Sequence, residues 1–230
     1  MMNELKFSKQ LKEGTKKSHT MAENTSFVKN FLKGVVNPES YRKLVADLYF
    51  VYRAMEDEVE KLKDHPCIGP IKFDELNRTM SLEKDLIYYY GVDWRDKISP
   101  TSSCQMYVDR IRTVADESPE LLVGHHYTRY LGDLSGGQIL KGIAEKTLDL
   151  PEGEGLNFYE FPTIVDRKGF KESYRTTLDT LPIDQSTANK IIVEANYAFR
   201  LNMYMFDELE GDEFKSLLKY LCGVVKGKIS

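Results

Sequence analysis

Between Asn37 and Leu62, apolar side chains fall at Tyr41, Leu44, Val45, Leu48, Tyr52, Met55, Val59 and Leu62. That three-and-four spacing marks one face of a helix, held for about seven turns. Asn37 is placed to cap its start and Pro38 to occupy its first turn. A strand cannot use this period, so the repeat commits the chain to helices packed on helices. The same period predicts shorter helices from about Lys9 to Phe31, from Ser81 to Tyr90 before Gly91, and from Pro100 to Ala115. Ser118 and Pro119 open another, expected to run to about Leu148 and to leave through LPEGEG. Asp166 opens one through Leu181. LPIDQ opens the last, whose inner face carries Ile191, Ala195, Phe199, Asn202, Phe206 and Leu209 before it ends at Gly211. From about Pro151 to Thr163 the chain reads as a loop packed over the core. With 230 residues, no repeat and no strand-turn-strand spacing, the expectation is an all-α, single-domain orthogonal bundle spanning 1–230.

Charge narrows the partners. The chain carries 32 basic and 36 acidic residues, a net −4 with histidine neutral, which argues against nucleic acid and other polyanions. Cys67, Cys104 and Cys222 are far apart with no CxxC pair, which argues against a zinc site and a disulfide framework and suits a reducing interior. The first residues have no apolar core of signal-peptide length, and nowhere do 18 apolar residues run together. The C-terminal LLKYLCGVVKGKIS is too short and too charged to span a bilayer. The expectation is a soluble protein with no transmembrane segment.

One stretch resists the helical reading. YTRYLGDLSGGQILKGI, from Tyr127 to Ile143, holds Gly132, Gly136, Gly137 and Gly142, and each glycine inside a helix is about 1 kcal/mol worse than alanine. Three explanations compete. LSGGQ matches the signature of ABC-type ATPases, but those also need GxxxxGK[ST] after a strand, and the chain has neither. Gly132 and Gly136 form a GxxxG that lets two helices approach, yet Gly137 lies about 100° further round and serves no such line. Alternatively, paired glycines permit a kink, and the bare face lies over a flat ligand of porphyrin size. Such a ligand needs an axial donor, most often histidine, and cations for its carboxylates.

Four histidines are available. His65, in KDHPC, reads as a helix exit. His125 and His126 lie in the glycine helix itself; His125 shares a face with Arg129, Gly132 and Gly136 but is about 10 Å along the axis from Gly132. Both read as packed or surface side chains. His19, in LKEGTKKSHTMAEN, shares a face with Lys12, Lys16 and Glu23, two cations on one side and a carboxylate able to accept from its second N–H on the other.

YTRYLGDLSGGQ together with LKEGTKKSHTMAEN strongly resembles heme oxygenase. The similarity continues through FVKNFLKGVV, SYRKLVADLYFVY, ESPELLVGHHYTRY, FKESYR and ANYAFRLNMYMFDEL, so it covers nearly the whole chain, and it looks closest to the ferredoxin-dependent enzymes of photosynthetic microbes. The resemblance implies heme b, both substrate and cofactor, held between a proximal and a kinked distal helix. His19 would ligate the iron with Glu23 behind it. Gly132, Gly136 and Gly137 would lay backbone on the ring, with Thr128 and Ser135 of the same motif beside it, and Asp133 would anchor distal water. Lys12, Lys16, Tyr127, Lys171 and Arg175 match propionate-holding positions. Tyr52, Tyr107, Arg129 and Asn202 match the distal hydrogen-bond network, and Phe199 and Phe206 the apolar wall. Gly14 stands where an alanine is common, and His126 where many relatives have a small residue.

The implied reaction uses O2 and electrons from a partner, ferredoxin by resemblance, to open heme at the α-meso carbon, giving biliverdin IXα, carbon monoxide and ferrous iron. Lysines and arginines in 6–17 and 167–175 would face an acidic donor. A bilin reductase is the implied downstream partner, and the cytoplasm, or the plastid stroma if the gene lies there, the expected location. A non-enzymatic heme carrier or sensor is the rival; Asp133 among three glycines favours the oxygenase.

Overall fold

A computed structural model describes the backbone of residues 5–226 and the side chains of residues 5–210. The long repeat forms α3, Pro38–Lys61, and its predicted cap is in place. The Asn37 side-chain oxygen accepts from the N–H groups of Glu39 at 2.8 Å and Ser40 at 3.3 Å. The face carrying Tyr41, Leu44, Val45, Leu48, Tyr52, Met55 and Val59 is buried, so the helix is held chiefly by packing of one side.

Before it lie α1, Phe7–Glu23, and α2, Ser26–Leu32; after it α4, Thr79–Tyr90, and α5, Ser102–Glu117. The helical stretch expected from about Lys9 to Phe31 holds two helices. The break falls at Asn24, whose backbone N–H still reaches Thr20 and Met21 while Thr25 turns extended. Beyond a turn at Pro119–Leu121 come α6, Leu122–His126, a π turn at Tyr127–Leu131, and α7, Gly132–Thr147. Then follow α8, Arg167–Asp179, begun by the Asp166 carboxylate accepting from Gly169 N at 2.9 Å, and α9, Gln185–Lys226. No strand occurs among the described residues.

Two sequence expectations are corrected. Gly211 does not end the last helix, which continues to Lys226; a single helical glycine lowers propensity by about 1 kcal/mol without forbidding the conformation. The irregularity in the distal segment is also not at Gly136 and Gly137. It is the π turn one turn earlier, an extra residue in the ladder that changes the phase of every side chain after it. LSGGQ lies in the first two turns of α7, which continues directly from the π turn.

α9 packs against α1, α2, α3, α5 and α6, and α3 against α4, α5 and α9, so the two longest helices form the spine of the bundle. Gly124 is where α6 meets α9: a Cβ there would sit 2.9 Å from Ala195 N and Ile191 O. Gly14 is similarly confined by Ile192, 2.6 Å from where a Cβ would be, and its carbonyl accepts from Asn196 Nδ2 at 3.0 Å. The expected loop does cover the core, burying Leu156, Phe158, Tyr159, Phe161 and Ile164. It is pinned by buried polar groups. Asp85 accepts from the N–H groups of Asn157 and Phe158, each at 2.8 Å, and the Arg78 guanidinium lies 3.8 Å over Phe161 while donating to the Glu160 carbonyl.

Cys67 and Cys104 are buried and unpaired, and the side chain of Cys222 lies outside the described residues, as does the four-residue end of the C-terminal segment. Among the described residues no helix is long and apolar enough to cross a membrane, and no cluster of His, Cys, Asp and Glu is arranged to hold a metal ion by itself.

Candidate active site between the first and seventh helices

α1 and α7 face each other across a cleft with two lobes that meet at His19, Gly132 and Gly136. The polar lobe encloses about 620 Å³ and is bordered by Lys12, Lys16, Tyr127, Thr128, Ser135 and Arg175. The apolar lobe, about 290 Å³, is walled by Leu44, Leu48, Leu140, Phe158, Tyr159 and Phe206. Each volume is in or close to the ~300–1,000 Å³ of small-molecule sites, and charge at one end with hydrocarbon at the other suits an amphipathic ligand.

The glycines explain the opening. A Cβ built on Gly132, Gly136 or Gly142 meets nothing within 4 Å, so the GxxxG packs against no helix. Gly132 and Gly136 instead present bare backbone to the cleft, directly across from His19. Gly137 differs: it is buried, and a Cβ there would touch the Tyr159 ring at 3.4 Å. Its neighbour alone supplies a reason for the second glycine of the pair, which sequence spacing left without one.

On the α1 side His19 is half exposed, Glu23 likewise, with Nδ1 to Oε2 at 3.5 Å. That contact engages one ring nitrogen and leaves Nε2 for a ligand. Phe199 sets the ring edge-on from α9, centroids 5.8 Å apart. Phe206 stacks on Phe27 at 5.4 Å and 4°, which builds part of the apolar wall.

Behind the glycines a buried polar cluster forms. Tyr52 OH donates to Asp133, Arg129 Nε donates to Tyr52 OH at 3.0 Å, Arg129 Nη1 to Asn202 Oδ1 at 2.5 Å, and Arg129 Nη2 lies 3.6 Å from Asp133 Oδ1. Burial raises the Asp133 carboxyl above its ordinary range, against the pull of Arg129 and the Tyr52 hydrogen bond. Tyr107 is pushed up to about 12 by burial, against the pull of Arg129 and Asn202 beside it. Arg129 and Asp133 border the apolar lobe, whereas Tyr52, Tyr107 and Asn202 stand behind them and reach the cleft only through them. Arg129 lies in the π turn and Asp133 four residues on, and both meet Tyr52 from α3.

Of the expected clamps, Lys12, Lys16, Tyr127 and Arg175 border the polar lobe. Lys171 does not line it but reaches over its mouth, Nζ donating to Ser135 Oγ at 3.5 Å. Arg175 is engaged by Glu172 at 2.5 Å. His125 and His126 are packed, as expected: His125 donates from Nε2 to Glu194 at 2.9 Å, and His126 Nδ1 is 2.6 Å from Tyr174 OH. His65 turns on itself, accepting from Cys67 N at 3.2 Å.

Several participants were not legible in sequence. Glu194, buried between Arg110 and His125, is pushed up by burial but held down to about 2 by their hydrogen bonds. Leu44, Leu48, Phe158 and Tyr159 looked like ordinary core; only the packing shows that they also wall a cavity. The apolar stripe of α3 was the one signal available for the first two.

The arrangement fits a flat macrocycle bearing an iron and two carboxylates. An imidazole faces bare backbone, hydrocarbon surrounds the space between, and cations stand at one rim. A sequence profile described as heme oxygenase matches residues 5–208. The chain is 60% identical over 208 residues to heme oxygenase 1 of Synechocystis sp., covering 90% of this chain and 86% of that protein. It is 54% identical over 217 residues to heme oxygenase of the alga Porphyra purpurea, covering 94% and 92%. The crystal structure of Synechocystis heme oxygenase-1 in complex with heme superposes with a TM-score of 0.90 at 56% identity, covering 96% of this chain and 100% of that one. With matching sequence over nine-tenths of its length and a matching helical fold, the chain belongs to the heme oxygenase family.

Proposed function

We propose that this chain is a heme oxygenase that opens heme at the α-meso carbon with O2 and supplied electrons, giving biliverdin IXα, carbon monoxide and ferrous iron. The observation that carries the reading is His19 facing the bare backbone of Gly132 and Gly136 across one cleft, with the buried Tyr52, Arg129 and Asp133 cluster behind the glycines. Bound heme would supply the iron that activates dioxygen and the carbon that is oxidised.

Each residue has work to do around it. His19 would give Nε2 to the iron while Glu23, 3.5 Å from Nδ1, accepts from that nitrogen and fixes the ring. Gly132 and Gly136, with open space where a Cβ would be, would leave room for dioxygen beside the bound heme. Gly137, Thr128 and Ser135 continue that surface. Asp133, with its affinity for a proton raised by burial, would hold water and deliver protons in measured strength. Tyr52 and Arg129 aim the carboxylate, and Asn202 aims Arg129. Lys12, Lys16, Tyr127, Lys171 and Arg175 would grip the propionates by charge-assisted hydrogen bonds and so would orient the bound heme. Phe199 and Phe206, which line the two lobes, would contact the apolar part of the bound heme.

We further propose reduced ferredoxin as donor and a bilin reductase as the next enzyme, with the protein acting in the cytoplasm or plastid stroma. α1 and the residue before it carry five lysines from Lys6 to Lys17, and α8 carries Arg167, Lys168, Lys171 and Arg175; Lys12, Lys16 and Arg175 of these border the polar lobe, the sign an acidic donor requires.

The test is direct. The protein is loaded with heme without oxygen, then given O2, ferredoxin and its reductase, and followed for the bilin band, with isomers separated by chromatography. Appearance of biliverdin IXα supports the reading. Heme that stays bound and intact through repeated reduction would mark a carrier instead. A bis-histidine electron carrier is already disfavoured, since His125, the second ligand it needs, is buried against Glu194.

A further inference from the structure

His126 has no part in the reaction outlined above, yet it is buried at a junction. It ends α6 immediately before the π turn, and its Nδ1 is 2.6 Å from the hydroxyl of Tyr174, itself fully buried in α8. The two rings lie nearly parallel at 9° with centroids 5.6 Å apart, and Tyr130 closes on the imidazole at 4.4 Å, so the histidine cannot swing away.

What the bond joins matters more than the bond. Tyr174 lies between Lys171 and Arg175 in sequence; Lys171 reaches Ser135 at 3.5 Å across the cleft mouth, and Arg175 borders the polar lobe. Tyr127, next after His126, borders the same lobe. α8 packs against α1 and the turn at Gly69–Ile71; apolar packing of that kind is non-directional. A hydroxyl bonded to an imidazole is directional, and here it ties α8 to the segment that leads into the bare glycine face.

We propose that His126 and Tyr174 are positioning residues: their buried hydrogen bond fixes where α8 holds Lys171 and Arg175 relative to the distal backbone, and thereby how a macrocycle's carboxylates are gripped. The inference rests on the reading of Lys171 and Arg175 as propionate clamps. Neither His126 nor Tyr174 touches the ligand; they act through the clamp.

The test titrates heme and heme dimethyl ester, whose carboxylates are blocked, into the full chain and into Tyr174→Phe, the double variant His126→Leu with Tyr174→Phe, and Arg175→Ala. Tyr174→Phe is expected to weaken heme binding severalfold, at most about tenfold, since the worth of one hydrogen bond bounds what the clamp can lose, while ester binding stays within about twofold of the parent by the same scale. The double variant, which leaves no unpaired polar atom at the junction, is expected to show the same heme-to-ester discrimination, and both are expected to yield isomers other than IXα. Equal weakening of heme and ester, or unchanged heme binding, overturns the positioning role. Arg175→Ala separates the two levels. If it discriminates and Tyr174→Phe does not, only the positioning role is wrong; if it too treats heme and ester alike, the clamp itself is wrong and the inference falls with it.

Discussion

A single buried carboxyl carries the sharpest expectation. Asp133 is raised by burial and bonded by Tyr52, with Arg129 close by. Asp133→Ala is expected to lower bilin formation by about 100-fold, the lower range for a lost proton-handling group, with added phenols oxidised instead; unchanged bilin yield would remove the water-anchoring role. On the opposite side, His19→Ala is expected to abolish turnover and normal heme spectra, while Glu23→Ala lowers heme affinity by about tenfold, the small end of the effect of an outer partner, because both side chains are half exposed. Retention of native spectra in His19→Ala would exclude it as the ligand. His19 stood out in the sequence because its chemistry is rare in this chain: four histidines leave few choices for an axial donor; Asp133 was singled out by the resemblance of its motif. Glu194 was not, since one glutamate among many acquires its role only when Arg110 and His125 arrive from α5 and α6.

Among the elements, α7 trades stability for an open face. Gly132 and Gly136 are helical, and a Cβ at either meets open space. Gly132→Ala and Gly136→Ala are each expected to raise the stability of the ligand-free protein by about 1 kcal/mol, or about 3 °C in Tm for a chain of this size, and to lower turnover by crowding the distal surface. A falling Tm would mean that these positions pack against something. Gly124→Ala should do the opposite. Its Cβ would press on the backbone of α9 at 2.9 Å, and overpacking of this kind destabilises by about 1–3 kcal/mol, measurable by chemical denaturation. Gly132 and Gly136 thus serve one end and Gly124 another, and identical letters could not separate them. The same holds for the kink: Gly136 and Gly137 were the visible candidates, yet the departure lies in YTRYL, whose residues are ordinary helix formers individually.

The whole bundle should lose stability toward acid in two stages. His126 is pushed down to about 3 by burial, so the unfolded chain takes up its proton near pH 6.5 while the folded protein refuses it until about pH 3. Stability contributed by the neutral ring is full above about pH 6.5 and is lost as pH falls, by at most about 1.4 kcal/mol per pH unit. Glu194 is held down to about 2, so its ionised form stabilises above about pH 4.5 and that contribution drains only between there and pH 2. His126→Leu is expected to flatten the dependence of Tm on pH between 6.5 and 4.5, where Glu194 is silent, leaving the steeper acid limb in place; an unaltered profile across that interval would contradict the assignment. The helical period, the caps at Asn37 and Asp166, the covering loop and the pairing of His19 with a glycine-rich segment were determined by sequence alone, because they rest on local geometry and on side-chain chemistry that few residues possess. Which glycine packs and which stays bare, where the distal helix is interrupted, and which ordinary leucines and tyrosines wall the cleft were decided only by tertiary structure. Those properties depend on what another helix places within about 4 Å of a residue, and one chain read in order contains no distances between its distant parts.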